Sequence, residues 1–312
     1  MSGVPKTLVT IATYNEIENL PRLVEEVFSA VPQAEILVID DHSPDGTGQW
    51  CGQRAAEDSR LHCIVRGSKL GLGTAIVAAM RYAVQHGYQY MLTMDGDFSH
   101  HPRDLPALLA GMDPAEGRWV DVMIGSRYAR GGRTEGWPLP RRIMSRTMNL
   151  GVRWLLGLGP RDCSGGYRCY RTACLARLDF GAIRSRGYAF EEEVLWRLKR
   201  LGARFGETPI VFSNRQRGAS KLGLTEMTSA MWNVFRLWML DVRDRIGGRY
   251  FQGEPQGVPT TGASPSGNGG DLTGPRRLRC PAQPVAGLDV PPGGLTKIRL
   301  LSSAIGAWIK GA

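Results

Sequence analysis

The chain has 312 residues, which is enough for one large domain or two smaller ones with a substantial core. Hydrophobic residues make up 42% of it and charged residues 22%, as is typical of a soluble globular protein. The 39 basic and 29 acidic residues leave a formal charge of +10, which suits a partner rich in phosphate: nucleic acid, an anionic membrane surface or a phosphorylated substrate. No uncharged apolar run approaches the roughly 18 residues that cross a bilayer, so membrane contact is predicted at the surface only.

The first residues, MSGVPKTLVTIATYNE, lack the features of a secretory signal, which predicts a cytoplasmic protein. The six cysteines form no C-x-x-C pair and no zinc-type spacing. In a reducing compartment, buried free thiols are the expected state of these side chains.

Strand-like and helix-like segments alternate over the first ~215 residues, which predicts an α/β sheet covered by helices. Five short apolar segments are predicted strands, and they read KTLVTIA, EILVID, HCIV, QYMLTM and VDVMIG in chain order. After the first strand, TYNE is predicted to open a helix, with Asn15 and Glu18 resembling a capping box. The apolar positions of that helix are Leu20, Leu23, Val24, Val27 and Phe28. The later segment SKLGLGTA lacks the Walker pattern and is predicted to begin a helix.

Polar side chains follow four of the predicted strands at their carboxyl ends. They are residues 13–16, Asp40 with Asp41, residues 95–99, and Ser126 with Arg127. Open α/β sheets bind ligands at this edge. The four groups are therefore predicted to converge on one cleft.

Asp95 and Asp97, separated by Gly96, end the fourth predicted strand. Two carboxylates so close together repel each other unless a cation lies between them. Mg²⁺ or Mn²⁺ prefers oxygen ligands and keeps positions open for substrate phosphates, whereas the alternative reading is a solvated turn. His100 and His101 follow, and a turn is favoured for them over a metal-binding role.

Basic side chains recur beside glycines and turns in the second half of the chain. They are Arg127, Arg133, Arg141, Arg142, Arg217 and Lys221. Guanidinium groups bind phosphate oxygens in bidentate fashion, and lysine adds a point charge. Each residue alone is more typical of a surface, but together they indicate phosphate-binding loops.

A helix is predicted from Leu224 to Ile246. Its apolar stripe consists of Met227, Met231, Val234, Phe235, Trp238 and Val242. Packing on the core and lying in a membrane interface are both open for this helix. Residues 252–274 are rich in Gly, Pro, Ser and Thr and predict a linker or disordered tail, and the last segment, LTKIRLLSSAIGAWIKGA, is weakly amphipathic.

Six segments stand in a characteristic order between residue 6 and about residue 240. They read ATYNE, IDDHSPDGT, MDGDFSHHP, GSRY, GGRTEGWPLPRRIMS and RGASKLG. This set resembles family 2 glycosyltransferases of the dolichol-phosphate mannosyltransferase type. The resemblance implies a GT-A fold, a mostly parallel sheet flanked by helices. It also implies transfer of mannose from GDP-mannose to dolichyl or polyprenyl phosphate with inversion, with Mg²⁺ or Mn²⁺ as cofactor.

The resemblance implies roles for individual residues. The nucleotide-sugar pocket is implied to involve Ala12, Tyr14, Glu16, Ile39, Asp41, Asp95 and Gly96. The metal ligands are implied to be Asp95 and Asp97, with Ser99 as a weaker third ligand where some members have Gln. The acceptor phosphate is implied to meet Arg127, Arg141, Ser145, Arg217 and Lys221. Catalytic roles are implied for Asp97, Arg127, Arg141 and Arg217.

The sequence predicts three regions along the chain. Residues 1–223 are expected to form the GT-A catalytic domain that the resemblance implies. Residues 224–250 are expected to form an amphipathic helix, for which a place at the membrane surface stays open, and composition predicts a Gly/Pro-rich disordered tail with a short amphipathic end for residues 251–312. Because an isoprenoid acceptor lies in a bilayer, the protein is expected to work peripherally at the cytoplasmic face of a membrane. A membrane-anchoring partner protein stays open, and no nucleic-acid partner is expected, because nucleic-acid binding does not require acids in the cleft.

Other functions of α/β proteins fit the sequence less well. A sugar nucleotidyltransferase needs a glycine-rich, Arg-containing loop after its first strand, where TYNE stands here. A D-x-D phosphatase has its nucleophilic aspartate near the N-terminus, whereas Asp95 lies on a later strand. The open alternative is a transferase of the same fold that moves glucose or another sugar from a UDP-sugar to polyprenyl phosphate.

Overall fold

The computed structural model describes residues 5–112, 119–185, 187, 189–214 and 224–246. The strands are β1 (Thr7–Thr13), β2 (Glu35–Asp40), β3 (Leu61–Val65), β4 (Tyr90–Asp95), β5 (Val122–Ser126), β6 (Arg133–Thr134), β7 (Arg168–Arg171), β8 (Phe205–Pro209) and β9 (Val211–Phe212). The helices are α1 (Leu20–Ala30), α2 (Thr47–Glu57), α3 (Leu72–Gln85), α4 (Leu105–Ala110), α5 (Leu139–Leu156), α6 (Thr172–Leu175), α7 (Ala189–Arg200) and α8 (Leu224–Ile246). The predicted phosphate-binding residues Arg217 and Lys221 and the tail 251–312 lie outside the described residues.

Seven of the strands form one sheet in the order β3-β2-β1-β4-β7-β5-β8. The five predicted strands are confirmed as β1 to β5. Strand β7 was not predicted; it runs antiparallel to both of its neighbours, and β5 and β8 are parallel to each other. Two antiparallel steps leave β5 parallel to β4. The carboxyl ends of β1, β2, β4 and β5 therefore meet at one edge, as predicted.

Side chains of the sheet alternate between two hydrophobic cores, one on each face. On β2, Ile36 and Val38 pack in the core that contains α1, whereas Leu37 and Ile39 pack in the core that contains α3. The predicted inner face of α1 is confirmed, because all five of its apolar positions are buried. The sheet is thus covered on both faces.

The start of α1 differs from its prediction. The helix begins at Leu20, Asn19 makes no side-chain cap, and Asn15 lies in the left-handed region at φ 60°, so the expected capping box is wrong. The reason is tertiary. Backbone N–H groups of residues 15–17 donate instead to side chains in the loop before α2 and at its first residue, among them Glu16 N–H to Thr47 Oγ1 at 3.0 Å.

Helix α8 has the predicted bounds and packs on α5 and α7. Its packed face is centred on Val234, Leu237 and Asp241, and Asp241 Oδ1 accepts a hydrogen bond from Trp196 Nε1 at 3.3 Å. Phe235 and Met231, which were predicted to share a stripe with Val234, are 43% and 44% exposed. The predicted stripe is therefore wrong in part. Among the described helices, none is long and apolar enough to cross a membrane.

Candidate active site

Three residues of the predicted nucleotide-sugar pocket lie side by side across the sheet. Ala12 on β1 is level with Ile39 on β2 and with Asp95 on β4. Just beyond them, a Cβ atom on Gly96 would stand 3.4 Å from Glu16 Cγ, so Glu16 reaches the same turn. The sheet register thus brings three of the seven predicted pocket residues, Ala12, Ile39 and Asp95, into one row, with Gly96 and Glu16 in the turn beside it.

Asp40 shapes the floor of this pocket. Its carboxylate is buried and accepts hydrogen bonds from Thr13 Oγ1 at 3.0 Å and from the backbone N–H of Ser43 at 2.9 Å. A Cβ atom on Gly48 would stand 2.9 Å from Asp40 Oδ2, so only glycine lets the start of α2 approach this closely. Asp40 therefore ties β1 and α2 to the end of β2.

Asp41 holds the loop that leads into α3. Its carboxylate accepts hydrogen bonds from Arg66 Nη1 at 2.9 Å and from the N–H groups of Leu70 and Gly71 at 2.9 and 2.7 Å. Burial alone would raise the pKa of Asp41, but these hydrogen bonds and the Arg66 charge together lower it. The carboxylate is thus ionised and fixed, and the place of Asp41 in the nucleotide-sugar pocket stays a prediction.

The same loop covers the rim of the pocket. Tyr14 is 38% exposed, and Lys69 Nζ lies 3.3 Å from the centre of its ring. Gly71 has φ 90° and immediately precedes α3, which confirms the interpretation of SKLGLGTA as a helix start. A half-exposed aromatic ring beside a fixed loop offers a stacking surface for a flat ligand group.

The two acids of the D-x-D segment differ in exposure. The side chain of Asp95 is 36% exposed, whereas Asp97 is buried and its Oδ1 accepts the backbone N–H of Ser99 at 3.0 Å. Among the described residues, no group of three or more His, Cys, Asp or Glu side chains could hold a metal ion. Two carboxylates at a cleft suit Mg²⁺ or Mn²⁺, which accept few protein ligands and complete their shells with water and phosphate oxygens. The residues present therefore fit the implied ion, and the ligand role of Ser99 stays a prediction.

His100 supports Asp95 from beneath. Its ring is buried, and Nδ1 accepts the backbone N–H of Asp95 at 3.2 Å. The ring stacks on Tyr167 at 4.7 Å between centroids and meets Phe212 edge-on at 5.3 Å. His101 begins the turn Pro102–Asp104. Both histidines therefore lie in the predicted turn, and His100 fixes the end of β4.

Arg127, after β5, is clamped by an acid that lies 35 residues further along the chain. Asp162 accepts hydrogen bonds from Arg127 Nε and Nη2, each at 2.7 Å, and from its backbone N–H at 3.0 Å. Both side chains are buried. Burial opposes both charges, but their mutual attraction prevails, so the pKa of Asp162 is lowered and that of Arg127 is raised. Sequence reasoning did not pair these residues.

Aromatic rings surround the Arg127 guanidinium. Its Cζ lies 5.3 to 5.6 Å from the ring centres of Tyr128, Trp137 and Phe212. Arg141 Cζ lies 4.1 Å from the Trp137 ring. Ser145 on α5 completes the group, because its Oγ lies 2.6 Å from Tyr128 Oη. Three predicted acceptor-phosphate residues, Arg127, Arg141 and Ser145, thus gather around two aromatic rings.

A second buried charge group was missed in the sequence. Arg168 on β7 is fully buried, and its Nη1 lies 2.8 Å from Glu191 Oε2 on α7. The neighbouring Glu192 is also buried, and burial raises its pKa to about 8. The run FEEEV, three acids within an otherwise apolar segment, was the available signal. Burial also raises the pKa of Glu191; the charge of Arg168 opposes this rise and the charge of Asp95 adds to it.

A mostly parallel sheet with paired acids after β4 and a guanidinium cluster after β5 is the arrangement of a nucleotide-sugar transferase. Residues 8–178 match glycosyl transferase family 2, and the chain belongs to this family. It is 42% identical over 238 residues to undecaprenyl-phosphate mannosyltransferase of Micrococcus luteus, with 76% of this chain and 96% of the relative covered. It is 43% identical over 230 residues to polyprenol monophosphomannose synthase of Mycolicibacterium smegmatis, covering 73% and 85%.

Solved structures confirm the GT-A fold. Glucosyl-3-phosphoglycerate synthase of Mycobacterium tuberculosis, in complex with Mn²⁺, UDP and phosphoglyceric acid, has a TM-score of 0.54 at 18% identity, with 75% of this chain and 78% of that chain covered. A mannosyltransferase of Pyrobaculum calidifontis, in complex with GDP-Man and Mn²⁺, has a TM-score of 0.51 at 16% identity, covering 78% and 66%. The implied architecture is therefore correct, and the chain is a glycosyltransferase.

Proposed function

We propose that the protein transfers mannose from GDP-mannose to a polyprenyl phosphate, with inversion at the sugar carbon, to give polyprenyl-phosphate mannose. The observation that carries this proposal is one sheet edge that presents the Asp95 and Asp97 carboxylates at one strand and the cluster of Arg127, Arg141 and Ser145 beyond another. The first group suits a nucleoside diphosphate with a metal, and the second suits a phosphate monoester. The names of the two bacterial relatives agree with this pairing of substrates.

The donor half acts on the leaving group. Asp95 and Asp97 would hold Mg²⁺ or Mn²⁺, which supplies Lewis-acid stabilisation of the diphosphate charge. Asp97 is buried and fixed by Ser99, so its carboxylate is already oriented before the donor binds. Tyr14 and the loop held by Asp41 form the rim against which the nucleoside lies. Such preorganised charge needs little rearrangement when the sugar–phosphate bond breaks.

The acceptor half acts on the nucleophile. A phosphate monoester is anionic at neutral pH, so its oxygen attacks without a strong general base. Orientation is then the main requirement, and it can contribute several kcal/mol, up to about 7–11 kcal/mol in well-aligned systems. Asp162 fixes Arg127, and Trp137 supports Arg141, so both guanidinium groups are held where an anion can meet them.

The lipid part of the acceptor lies in a membrane, so the protein needs a surface that binds one. Two adjacent helices, α5 and α8, have exposed apolar side chains that suit this contact. Helix α8 exposes Trp232, Phe235 and Met239, and α5, which packs beside it, exposes further apolar side chains. Those of α5 are Leu139, Ile143, Leu150 and Trp154. Exposed arginines at positions 142 and 146 lie on the same helix and suit anionic lipid. These faces support peripheral membrane binding, to a cytoplasmic leaflet in this proposal.

The test is a transfer assay. Purified protein is incubated with undecaprenyl phosphate, Mn²⁺ or Mg²⁺, and either GDP-mannose or UDP-glucose, and the lipid product is analysed by mass spectrometry. A mannosylated lipid phosphate formed only from GDP-mannose is expected. Consumption of UDP-glucose alone would show that the mannosyl assignment is wrong and that the related glucosyl transfer takes its place.

A further inference from the structure

Trp137, in the loop between β6 and α5, carries a buried polar atom without a partner. The residue is 7% exposed, and among the described residues its indole Nε1–H has no hydrogen-bond acceptor. A buried donor that lacks an acceptor costs about 1–3 kcal/mol. Such a cost at the edge of an active site indicates that a ligand supplies the missing acceptor.

The surroundings of the indole define the chemistry of that ligand. Arg141 Cζ lies 4.1 Å and Arg127 Cζ 5.6 Å from the Trp137 ring centre, and Phe212 meets the ring edge-on at 5.5 Å. The two guanidinium groups are both cationic, and the indole adds a further N–H donor. Two cationic groups and an N–H donor favour an oxyanion over a neutral hydroxyl or amide.

The hydrogen bonds that Arg127 already makes limit the N–H groups it can offer to a ligand. Its Nε and Nη2 donate to Asp162, and Nη2 also donates to Ser164 Oγ at 2.8 Å. A phosphate that enters beside Arg127 therefore meets a guanidinium whose fork is already occupied. It needs donors from the neighbouring groups, and the Trp137 indole lies close to both guanidinium groups. Arg141 is half-buried against the Trp137 ring, on the side of the cluster where its guanidinium adds positive charge.

We propose that Trp137 Nε1 donates a hydrogen bond to a phosphate oxygen of the bound acceptor and so positions the nucleophile. This inference rests on the proposed function for the identity of the acceptor. A phosphate oxygen of the sugar nucleotide has the same chemistry, but Trp137 and the two arginines lie beyond β5, whereas the acids that suit the diphosphate end β4. The acceptor is the source that this placement favours.

The experiment measures binding of soluble phosphates by calorimetry. Farnesyl phosphate stands for the acceptor, and GDP with Mn²⁺ stands for the donor. At position 137, a tryptophan analogue with sulfur in place of the N–H, benzothienylalanine, keeps the ring and removes only the donor; Trp137→Phe is the second variant. Trp119→Phe is the matched control, because Trp119 is exposed and precedes the amino end of β5, whereas the arginine cluster follows its carboxyl end.

Loss of one hydrogen bond to a charged group weakens binding at least about tenfold. We expect this loss for farnesyl phosphate with both position-137 variants, with GDP affinity and melting temperature unchanged and the control like wild type. Weaker GDP binding alone would assign the N–H to the donor and overturn the proposal. So would unchanged farnesyl phosphate binding, or equal losses for both ligands with a lower melting temperature. Failure of the proposed function looks different: the wild type then binds farnesyl phosphate but transfers no mannose.

Discussion

The clamp between Arg127 and Asp162 is open to a direct test by Asp162→Asn. The substitution keeps the shape of the side chain but removes its charge and one of the acceptor oxygens that now receive three hydrogen bonds from Arg127. Arg127 is 7% exposed, so water does not compensate the guanidinium charge that remains.

The expected loss of stability follows from that burial. Breaking a buried ion pair by removing one partner costs about 3–5 kcal/mol, because the other charge is left uncompensated. At about 2–4 °C per kcal/mol for a domain of this size, the melting temperature falls by roughly 6–20 °C. The lost stability should also depend on pH. Because the pKa of Asp162 is lowered in the fold, its contribution is present above the ordinary aspartate range and is lost as the pH falls through the lowered value.

Thermal unfolding followed by circular dichroism measures this loss, with urea unfolding as a second reading. Glu135→Gln is the matched control, since Glu135 pairs with Arg133 at the surface, where the two side chains are 50% and 61% exposed. Exposed pairs contribute about 0–1 kcal/mol. If Asp162→Asn melts within about 2 °C of the wild type while the control also stays unchanged, the buried clamp does not have the strength assigned to it.

Three further outcomes are expected. Asp97→Ala should abolish transfer at saturating Mn²⁺ while the fold and the binding of farnesyl phosphate persist. Full activity of this variant would contradict the metal role. Removal of the metal from the wild type with EDTA should abolish transfer in the same way. Burial raises the pKa of Glu192 from 4.5 to about 8, so its contribution to stability is present below pH 4.5 and is lost as the pH rises toward 8. Glu192→Gln should therefore flatten the fall of the unfolding free energy between pH 5 and 8, by up to about 4 kcal/mol, and an unchanged profile would contradict this. Joint replacement of Trp232 and Phe235 by Ser should weaken flotation with anionic vesicles without lowering the melting temperature, because both side chains are exposed. Point substitutions are preferred to deletion of the whole helix, which would also uncover the buried Val234 and Leu237. Unchanged flotation would contradict the membrane role.

Local pattern was enough to predict much of the fold. The apolar segments β1 to β5 and the inner face of α1 follow from hydrophobic spacing alone. Strand β1 is buried on both sides and α1 on one stripe, whereas β3 leaves Ile64 and Val65 exposed. Strand β7 escaped prediction because its sequence, RCYR, begins and ends with arginine. The charge of the buried Arg168 is paired with Glu191, 23 residues away, and such a long-range partner leaves no local signal.

The lack of a local signal also explains the wrong part of the α8 stripe and the site residues that were missed. Asp241 lies on the packed face of α8, where Trp196 donates to it, whereas a charged residue is expected on the exposed face of an amphipathic helix. The acids after β4 could be predicted, because D-x-D at a strand end is a local pattern. The pairing of Asp162 with Arg127 joins two separate loops, so it is visible only in the folded structure. The same is true of the Trp137 N–H, which has no acceptor among the described residues.

Strand β7 also constrains how the protein folds. In the described sheet, β4 and β5 do not pair with each other, and β7 joins them on both sides. Strands β1 to β4 can pair as soon as residues 7–95 are made, but the half that carries Arg127 attaches only after residue 168 has been synthesised. Pairing of Tyr90 with Arg171 spans 81 residues, and such distant contacts form slowly. During translation, the donor half should therefore be folded well before the two substrate sites exist on one sheet.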